Sequence, residues 1–178
     1  MKLAHNKQAY YVLRMQNLPP AKNLGLLIHD VGRLMRRELD QRAQAIGLTS
    51  AQWRVLAYLA RCEGTNQVNL ADLMDMEPIT LSRHLDRMET DGLTERRRDP
   101  NDRRAHRLYL TDTGRELMAS FRGVSTGVMR EAIDGISETE IEKMTQLLLR
   151  MRGNLTGKAS AEVPPLLSKI SEQQDAVA

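Results

Sequence analysis

Apolar residues recur at helical spacing over most of the chain and alternate with polar residues in one short region. Spacings of three and four residues predict a first helix over 22–45, with Leu24, Ile28 and Leu39 on its apolar face and Gly47 as its stop. The same criteria predict helices over 49–60 and 70–76, a helix that starts at Pro78, a helix from Thr111 or Thr113 to Ala132, and a last helix that starts at Ser137. Alternation of apolar and polar residues predicts strands over 93–95 and 108–110. The predicted fold class is therefore mainly α with a small β-hairpin (α+β).

Two short helices in the middle of the chain follow each other at the spacing of a helix-turn-helix. We expect the side chain of Asn69 to cap the first of them, over 70–76. The second starts at Pro78, a residue suited to the first turn because the N–H that proline lacks has no partner there. This order of elements is typical of a DNA-binding module.

The second of these helices has an apolar face and a polar face. Three residues at i, i+4 and i+7 form the apolar stripe: Leu81, Leu85 and Met88. The opposite face carries Ile79, Thr80, Arg83, Asp86 and Arg87. A helix fits the major groove of B-DNA, where arginine bonds guanine and the methyl groups of Thr and Ile suit thymine. We expect Arg83 to contact a base, and Ser82 and Arg87 to contact phosphates. A solvated surface helix would show the same pattern.

A basic segment follows between the two predicted strands. Residues 96–107 contain six arginines and one histidine against only Asp99 and Asp102. The residues from Asp99 to Asp102 are typical of a turn. An ordered hairpin would hold Arg103 and Arg104 at its tip, where guanidinium groups suit a narrow minor groove. The flanking alternation favours such a wing over a solvated loop.

The run DPNDRRAHRLYLT, residues 99–111, resembles the wing signature of the MarR family of winged-helix transcriptional regulators. In that family an Asp-x-Arg pair, a five-residue spacer and Leu-Thr mark the wing, and Asp102, Arg104, Leu110 and Thr111 stand at those spacings. The resemblance implies that Arg104 probes the minor groove and that Asp102 orients it. The candidate DNA-binding residues are Pro78, Thr80, Ser82, Arg83, Arg87, Asp102, Arg103 and Arg104.

The resemblance extends from Leu24 to Asn154 and includes TSAQWRVLAYLA, the Glu77-Pro78 pair and GLTERR. The segments HDVGRLMRRELDQRA and LTSAQW resemble the SlyA-type branch of the family. It implies a winged helix-turn-helix whose N- and C-terminal helices form a dimerisation domain. The apolar faces of those helices exceed what a small winged helix can cover, which also favours a homodimer. The predicted division is an N-terminal extension over 1–20, dimerisation helices over 21–46 and 112–153, a DNA-binding domain over 49–111, and a C-terminal tail over 154–178.

Composition agrees with a DNA-binding function and argues against several others. The formal charge is only +3, so the concentration of arginines in the wing matters more than the total. The sequence has no phosphate loop, HExxH, CxxC or nucleophile-elbow motif, which predicts no enzyme, no cofactor and no metal site. A single cysteine, no signal peptide and no long apolar run predict a cytoplasmic protein.

The resemblance also implies a small-molecule effector, such as an aromatic acid or a CoA thioester, bound near the dimer helices. The matching positions are His29, Arg33, Arg36 and Trp53. Two arginines at i and i+3 suit a carboxylate, and tryptophan suits an aromatic ring. Each residue also has an ordinary alternative: Trp53 in the core, His29 at an interface, and the arginines in a solvated face that pairs with Glu38 or Asp40.

The predicted function is a sequence-specific transcriptional regulator, expected to be a repressor, that binds an inverted-repeat operator as a homodimer and is released by its effector. One alternative is an architectural protein that binds duplex DNA without sequence specificity. Another is a regulator that responds to oxidation through Cys62, because thiol-based sensing requires an accessible cysteine.

Overall fold

The computed structural model describes residues 20–100, 102 and 105–156. In chain order the helices are α1 (Pro20–Ala45), α2 (Ser50–Leu59), α3 (Gln67–Leu73), α4 (Pro78–Thr90), α5 (Asp112–Ala132) and α6 (Glu138–Thr156), and the strands between α4 and α5 are β1 (Thr94–Arg98) and β2 (His106–Leu110). The predicted class, mainly α with one hairpin, is confirmed. The N-terminal extension up to residue 19 and the tail from residue 157 lie outside the described residues.

Local capping signals begin two of the helices where the sequence predicts them. Thr49 Oγ1 accepts a hydrogen bond from the Gln52 N–H at 3.3 Å, and Gln52 Oε1 accepts one from the Thr49 N–H at 3.0 Å, so the capping box is complete. Thr111 caps α5, because its Oγ1 accepts from the Gly114 N–H at 3.0 Å. Thr113, the other candidate, lies inside α5.

The prediction that Asn69 caps the third helix is wrong. Asn66 is the cap, and its Oδ1 accepts a hydrogen bond from the Asn69 N–H at 2.8 Å. The helix therefore starts three residues earlier than predicted, and it ends at Leu73. The chain then turns through Asp75, which has a φ of 49°, before α4 starts at Pro78 as expected.

The strands are also longer than the predicted three residues each. β1 and β2 pair antiparallel in a register that sets Thr94 opposite Leu110, Arg96 opposite Leu108 and Arg98 opposite His106. The strand pairing continues through the arginines because backbone N–H and C=O groups form its hydrogen bonds. The pattern of hydrophobic side chains, on which the prediction rested, does not show where those bonds end.

The core lies where α2, α3, α4 and the base of the hairpin meet α5. Its largest buried side chains include Leu56, Leu59, Leu70, Leu81, Leu85 and Leu108. Trp53 of α2 stacks on Phe121 of α5, with ring centroids 5.0 Å apart and an interplanar angle of 20°. These contacts join the helix-turn-helix to the long helix that follows the hairpin.

The apolar faces of α1 and α6 remain exposed in the single chain. On α1, Leu24 is 46 % exposed and Val31 is 50 % exposed. On α6, Leu147 is 48 % exposed, and none of the residues of this helix is buried. α6 runs to Thr156, three residues beyond the predicted limit of 153. Within the described helices, no segment has the length and apolarity needed to cross a membrane.

Candidate nucleic-acid interface

Helix α4 has the two faces that the sequence predicts. Leu81, Leu85 and Met88 are each at most 1 % exposed and anchor the helix in the core. The outward side chains that are exposed are Pro78, Ile79, Thr80, Arg83, Asp86 and Arg87, and Ser82 is half-buried. The helix therefore presents a mainly polar surface with two arginines about a turn apart.

The N-terminal end of α4 is held by the helix before it. Glu77 is the N-cap residue and makes no capping hydrogen bond through its side chain. Gln67 of α3 donates from Nε2 to the Pro78 carbonyl at 3.2 Å, so one carbonyl of the first turn is fixed to α3. Among the described residues, neither Arg83 nor Arg87 forms an ion pair, and both guanidinium groups remain available to a ligand.

The arginines of the hairpin are not equivalent. Arg96 Nη2 donates to Asp86 Oδ1 at 2.6 Å, and its Nη1 pairs with Glu89, so this arginine contacts α4. Arg97 pairs with Glu95 and lies over the Tyr109 ring, 4.3 Å from its centroid. In the sequence these arginines form one basic group, and their partners within the domain are not visible there. Strand alternation combined with the register would have separated them.

Arg107 fastens the second strand to the turn and to the body of the domain. Its Nε donates to Asp99 Oδ2 at 2.8 Å, and its Nη1 donates to the Gly64 carbonyl at 3.1 Å. Backbone hydrogen bonds reinforce this attachment: the Gly64 N–H donates to the Leu108 carbonyl, and the Leu108 N–H donates to the Thr65 carbonyl, each at 2.9 Å. The second strand is therefore attached to the body of the domain at several points.

The turn of the hairpin carries the wing signature. The Asp99 N–H donates to the Ala105 carbonyl and the Ala105 N–H donates to the Asp102 carbonyl, both at 3.0 Å. Asp102 is exposed. Arg103 and Arg104, the residues expected to enter the minor groove, lie outside the described residues.

The hairpin is joined tightly to α5. Glu63 Oε1 accepts from the Leu110 N–H at 2.8 Å, and Glu63 Oε2 accepts from Arg115 Nη1 at 2.6 Å. The hydrogen bond to Glu63 is the main cause that raises the pKa of Arg115. Gly114 packs against the Leu93 carbonyl so closely that a Cβ there would lie 2.1 Å from its oxygen. The start of α5 and the residue before β1 therefore form a close junction at Gly114.

The four candidate effector residues fall into two environments. His29, Arg33 and Arg36 are exposed and, at spacings of four and three, share one face of α1. Asp40 continues that face, and it accepts a hydrogen bond from Trp53 Nε1 at 2.8 Å. Trp53 is thus placed at the end of the same stripe, with one side of its ring on Phe121.

The solvated-face alternative predicted that Arg33 and Arg36 pair with Glu38 or Asp40, and the observed pairing differs. Arg33 pairs with Asp30, which lies three residues before it and is a nearer helical neighbour. Asp40 accepts a hydrogen bond from Trp53 instead.

Cys62 is half-buried, and its Sγ donates to the Tyr58 carbonyl at 3.1 Å. In the part of the chain that the structure describes, no group of three His, Cys, Asp or Glu residues is arranged to hold a metal ion.

Comparison with known proteins agrees with this geometry. A family model described as MarR family matches residues 48–106. The sequence of transcriptional regulator PA3341, for which a crystal structure is known, is 36 % identical to this chain. The two structures match with a TM-score of 0.69, and the match covers 75 % of this chain and 98 % of that one. A mutant of MarR from E. coli, solved with operator DNA, is 26 % identical, with a TM-score of 0.64 over 72 % of this chain and 92 % of that one.

The transcriptional regulator SlyA is 24 % identical, with a TM-score of 0.67 over 75 % of this chain and 94 % of that one, a likeness that shows the shared fold alone. The SlyA-type branch therefore stays a prediction. The family and these structures are those of transcriptional regulators, which confirms the prediction of a protein that is not an enzyme. The chain belongs to the MarR family, and its fold is that of a DNA-binding transcriptional regulator.

Proposed function

We propose that this chain is a sequence-specific repressor that binds an inverted-repeat operator as a homodimer. The observation that carries the proposal is the outward surface of α4, where Thr80, Arg83 and Arg87 are exposed in the element that precedes the strands β1 and β2. A helix anchored on one face and polar on the other can enter the major groove without disturbing the core. The related E. coli MarR mutant solved with operator DNA supports this function.

Within this proposal Arg83 contacts a base and Arg87 contacts a phosphate. Arg83 lies in the second turn of α4, and its guanidinium can bond both acceptors of guanine. Ser82 is half-buried at the flank of the surface, where its hydroxyl suits a phosphate oxygen. Pro78 and Thr80 are at the exposed start of the helix, the end that reaches base edges in helix-turn-helix proteins.

The wing supplies the second part of the interface. We infer that Arg104 enters the minor groove beside the half-site, that Asp102 orients it, and that Arg103 reaches the same groove. The antiparallel ladder and the contacts of Arg107 support this role, because they hold the base of the hairpin rigidly. A fixed base restricts the wing to one position relative to α4.

The homodimer is proposed from the uncovered helices. Both helices carry apolar surfaces whose exposure to water is unfavourable. On α1 the exposed side chains are leucine, isoleucine and valine, and on α6 they are leucine and methionine. A two-fold dimer through these helices would cover both surfaces at once. Two copies of α4 would then meet half-sites about one helical turn, roughly 10 bp, apart.

The effector proposal rests on the α1 stripe of His29, Arg33 and Arg36, with Trp53 at its end. Exposed arginines suit the carboxylate of an aromatic acid or the phosphates of a CoA thioester. Binding there would change the angle between α1 and α2, and with it the distance between the two recognition helices. Release of the operator would follow from that change.

The test is selection of fragments from random or genomic DNA by the purified full-length protein at about 150 mM salt, near physiological ionic strength. An enriched inverted repeat with half-sites about one turn apart supports the proposal. Binding to any duplex with strong salt dependence and no enriched motif would favour the architectural alternative. Release by peroxide that is lost in Cys62→Ser would favour the redox alternative.

A further inference from the structure

Arg96 lies between the hairpin and the recognition helix α4. Its register partner is Leu108, which is 1 % exposed. Because paired residues share a face of the sheet, Arg96 points toward the body of the domain, and its side chain is only 21 % exposed. Arg97 and Arg98, the next two residues of β1, are exposed, so Arg96 has a different environment from these neighbours.

The guanidinium of Arg96 contacts two carboxylates on α4. Nη2 donates to Asp86 Oδ1 at 2.6 Å, Nη1 pairs with Glu89, and the backbone N–H of Arg96 donates to Glu89 Oε1 at 3.2 Å. One residue of β1 is thus bonded three times to the last two turns of α4. Arginine suits this place because its planar fork directs separate donors at two acceptors, which a lysine ammonium does less well.

The two carboxylates occupy a sensitive position. Asp86 is 61 % exposed, lies next to Arg87 and follows Arg83 by about one turn. Glu89 is 42 % exposed. Without a cation beside them, these groups would repel the phosphates that Arg83 and Arg87 approach.

We propose that Arg96 is a positioning residue for DNA binding, which fixes the wing relative to α4 and neutralises Asp86 and Glu89 at the edge of the interface. This inference rests on the proposed function, because it assumes that α4 and the wing occupy neighbouring grooves. Arg96 itself does not contact DNA. Its substitution therefore weakens binding by moving the wing and by exposing negative charge.

Footprinting on the selected operator tests the positioning role. Wild-type protein should protect guanine N7 from methylation in the major groove and protect the sugars of the adjacent minor groove from hydroxyl radicals. Arg96→Met should keep the first protection and weaken the second, because α4 stays anchored while the wing loses its attachment to α4 and keeps those of Arg107. Arg97→Met is the matched control, since Arg97 pairs with Glu95 on the other face of the hairpin, and it should keep both. An Arg96→Met footprint identical to wild type would overturn the inference.

A double-mutant cycle separates positioning from a direct phosphate contact. Arg96→Met should weaken operator binding by about tenfold, a size typical of coupling within one ion-pair network. In the Asp86→Asn, Glu89→Gln background the same substitution should have little effect, because its partners are already neutral. An equal loss in both backgrounds would show that Arg96 binds DNA itself and would refute the inference.

Two further results keep the test decisive. If Arg96→Met does not fold, Arg96→Lys replaces it. The lysine variant should lose part of the minor-groove protection, since one ammonium group can pair with only one of the two carboxylates. Full protection in that variant would count against the inference. If the wild-type protein itself shows no operator preference or no minor-groove protection, the proposed function fails instead. The two failures are therefore distinguishable.

Discussion

Arg42 of α1 and Glu131 of α5 form a two-point ion pair, in which Nη1 donates to Oε1 at 2.8 Å and Nη2 donates to Oε2 at 2.5 Å. This pair joins the first helix of the described residues to the last turn of α5, at the opposite end of α5 from the hairpin. The hydrogen bond from Arg42 lowers the pKa of Glu131 below its ordinary value of 4.5. This ion pair therefore makes a contribution to stability that varies with pH.

The sign of that dependence follows from the direction of the shift. A carboxylate whose pKa is lower in the folded state contributes stability above 4.5, and the contribution disappears as pH falls through the folded value. We expect Glu131→Gln to melt at a lower temperature than wild type at neutral pH, by a small amount because Glu131 is 65 % exposed. The two melting curves should converge in acid. Glu142→Gln serves as control, and a Glu131→Gln difference that persists or grows below the ordinary pKa would contradict this account.

Gly114→Ala should destabilise the protein by about 1–3 kcal/mol, the usual cost of forcing an atom into a packed site. A Cβ at this position would lie 2.1 Å from the Leu93 carbonyl oxygen, and backbone atoms cannot rotate away. Chemical denaturation at fixed protein concentration measures the effect. Gly123→Ala in the same helix is the control: nothing lies within 4 Å of a Cβ there, and alanine favours helix by roughly 0.8–1 kcal/mol. Equal stability of the two variants would show that the junction is looser than described.

Arg83→Ala should reduce operator affinity by on the order of 1–3 kcal/mol and relax discrimination at one base position in each half-site. The reason is that Arg83 is exposed on α4 and, within the described chain, has no ion pair that would occupy its guanidinium. Binding titrations with single-base operator variants measure both effects. Arg130→Ala on α5 should leave the base preference unchanged. If Arg83→Ala binds more weakly but with the wild-type motif, Arg83 contacts a phosphate and not a base.

Leu148→Glu should shift the protein from dimer to monomer, by on the order of 2 kcal/mol or more, because it places a charge in the proposed apolar interface. Leu148 is 44 % exposed in the single chain, so the change should leave the fold of each chain intact. Analytical ultracentrifugation measures the mass. Gln146→Glu adds the same charge on the exposed helix two residues away and should remain dimeric. A stable Leu148→Glu dimer would mean that α6 does not form the interface.

Local signals allowed much of the fold to be predicted. The capping box of Thr49 and Gln52 and the cap by Thr111 were identified from the sequence because each depends on residues at most three positions apart. The prediction that Asn69 caps α3 was wrong because Asn66, three residues earlier, can also cap a helix, and the sequence does not show which residue tertiary packing selects.

The environments of the site residues were harder to predict. The helical period identified Arg83 and Arg87 as outward residues, and the structure agrees. The partners of Arg96 and Trp53 depend on contacts across elements, with Asp86 ten residues before Arg96 and Asp40 thirteen residues before Trp53. Sequence periodicity within one element contains no information about such contacts, so these roles required the structure.

The division of α4 into a buried side and an outward side has a consequence for the history of such regulators. Leu81, Leu85 and Met88 fix the helix in the core, whereas Ile79, Thr80 and Arg83 make no contribution to that core. Substitutions at the outward positions can therefore accumulate after gene duplication without loss of folding. If the outward face reads the operator as proposed, new operator preferences can arise in paralogues that keep the same scaffold, and a small number of exchanges between two of them should be enough to swap their target genes.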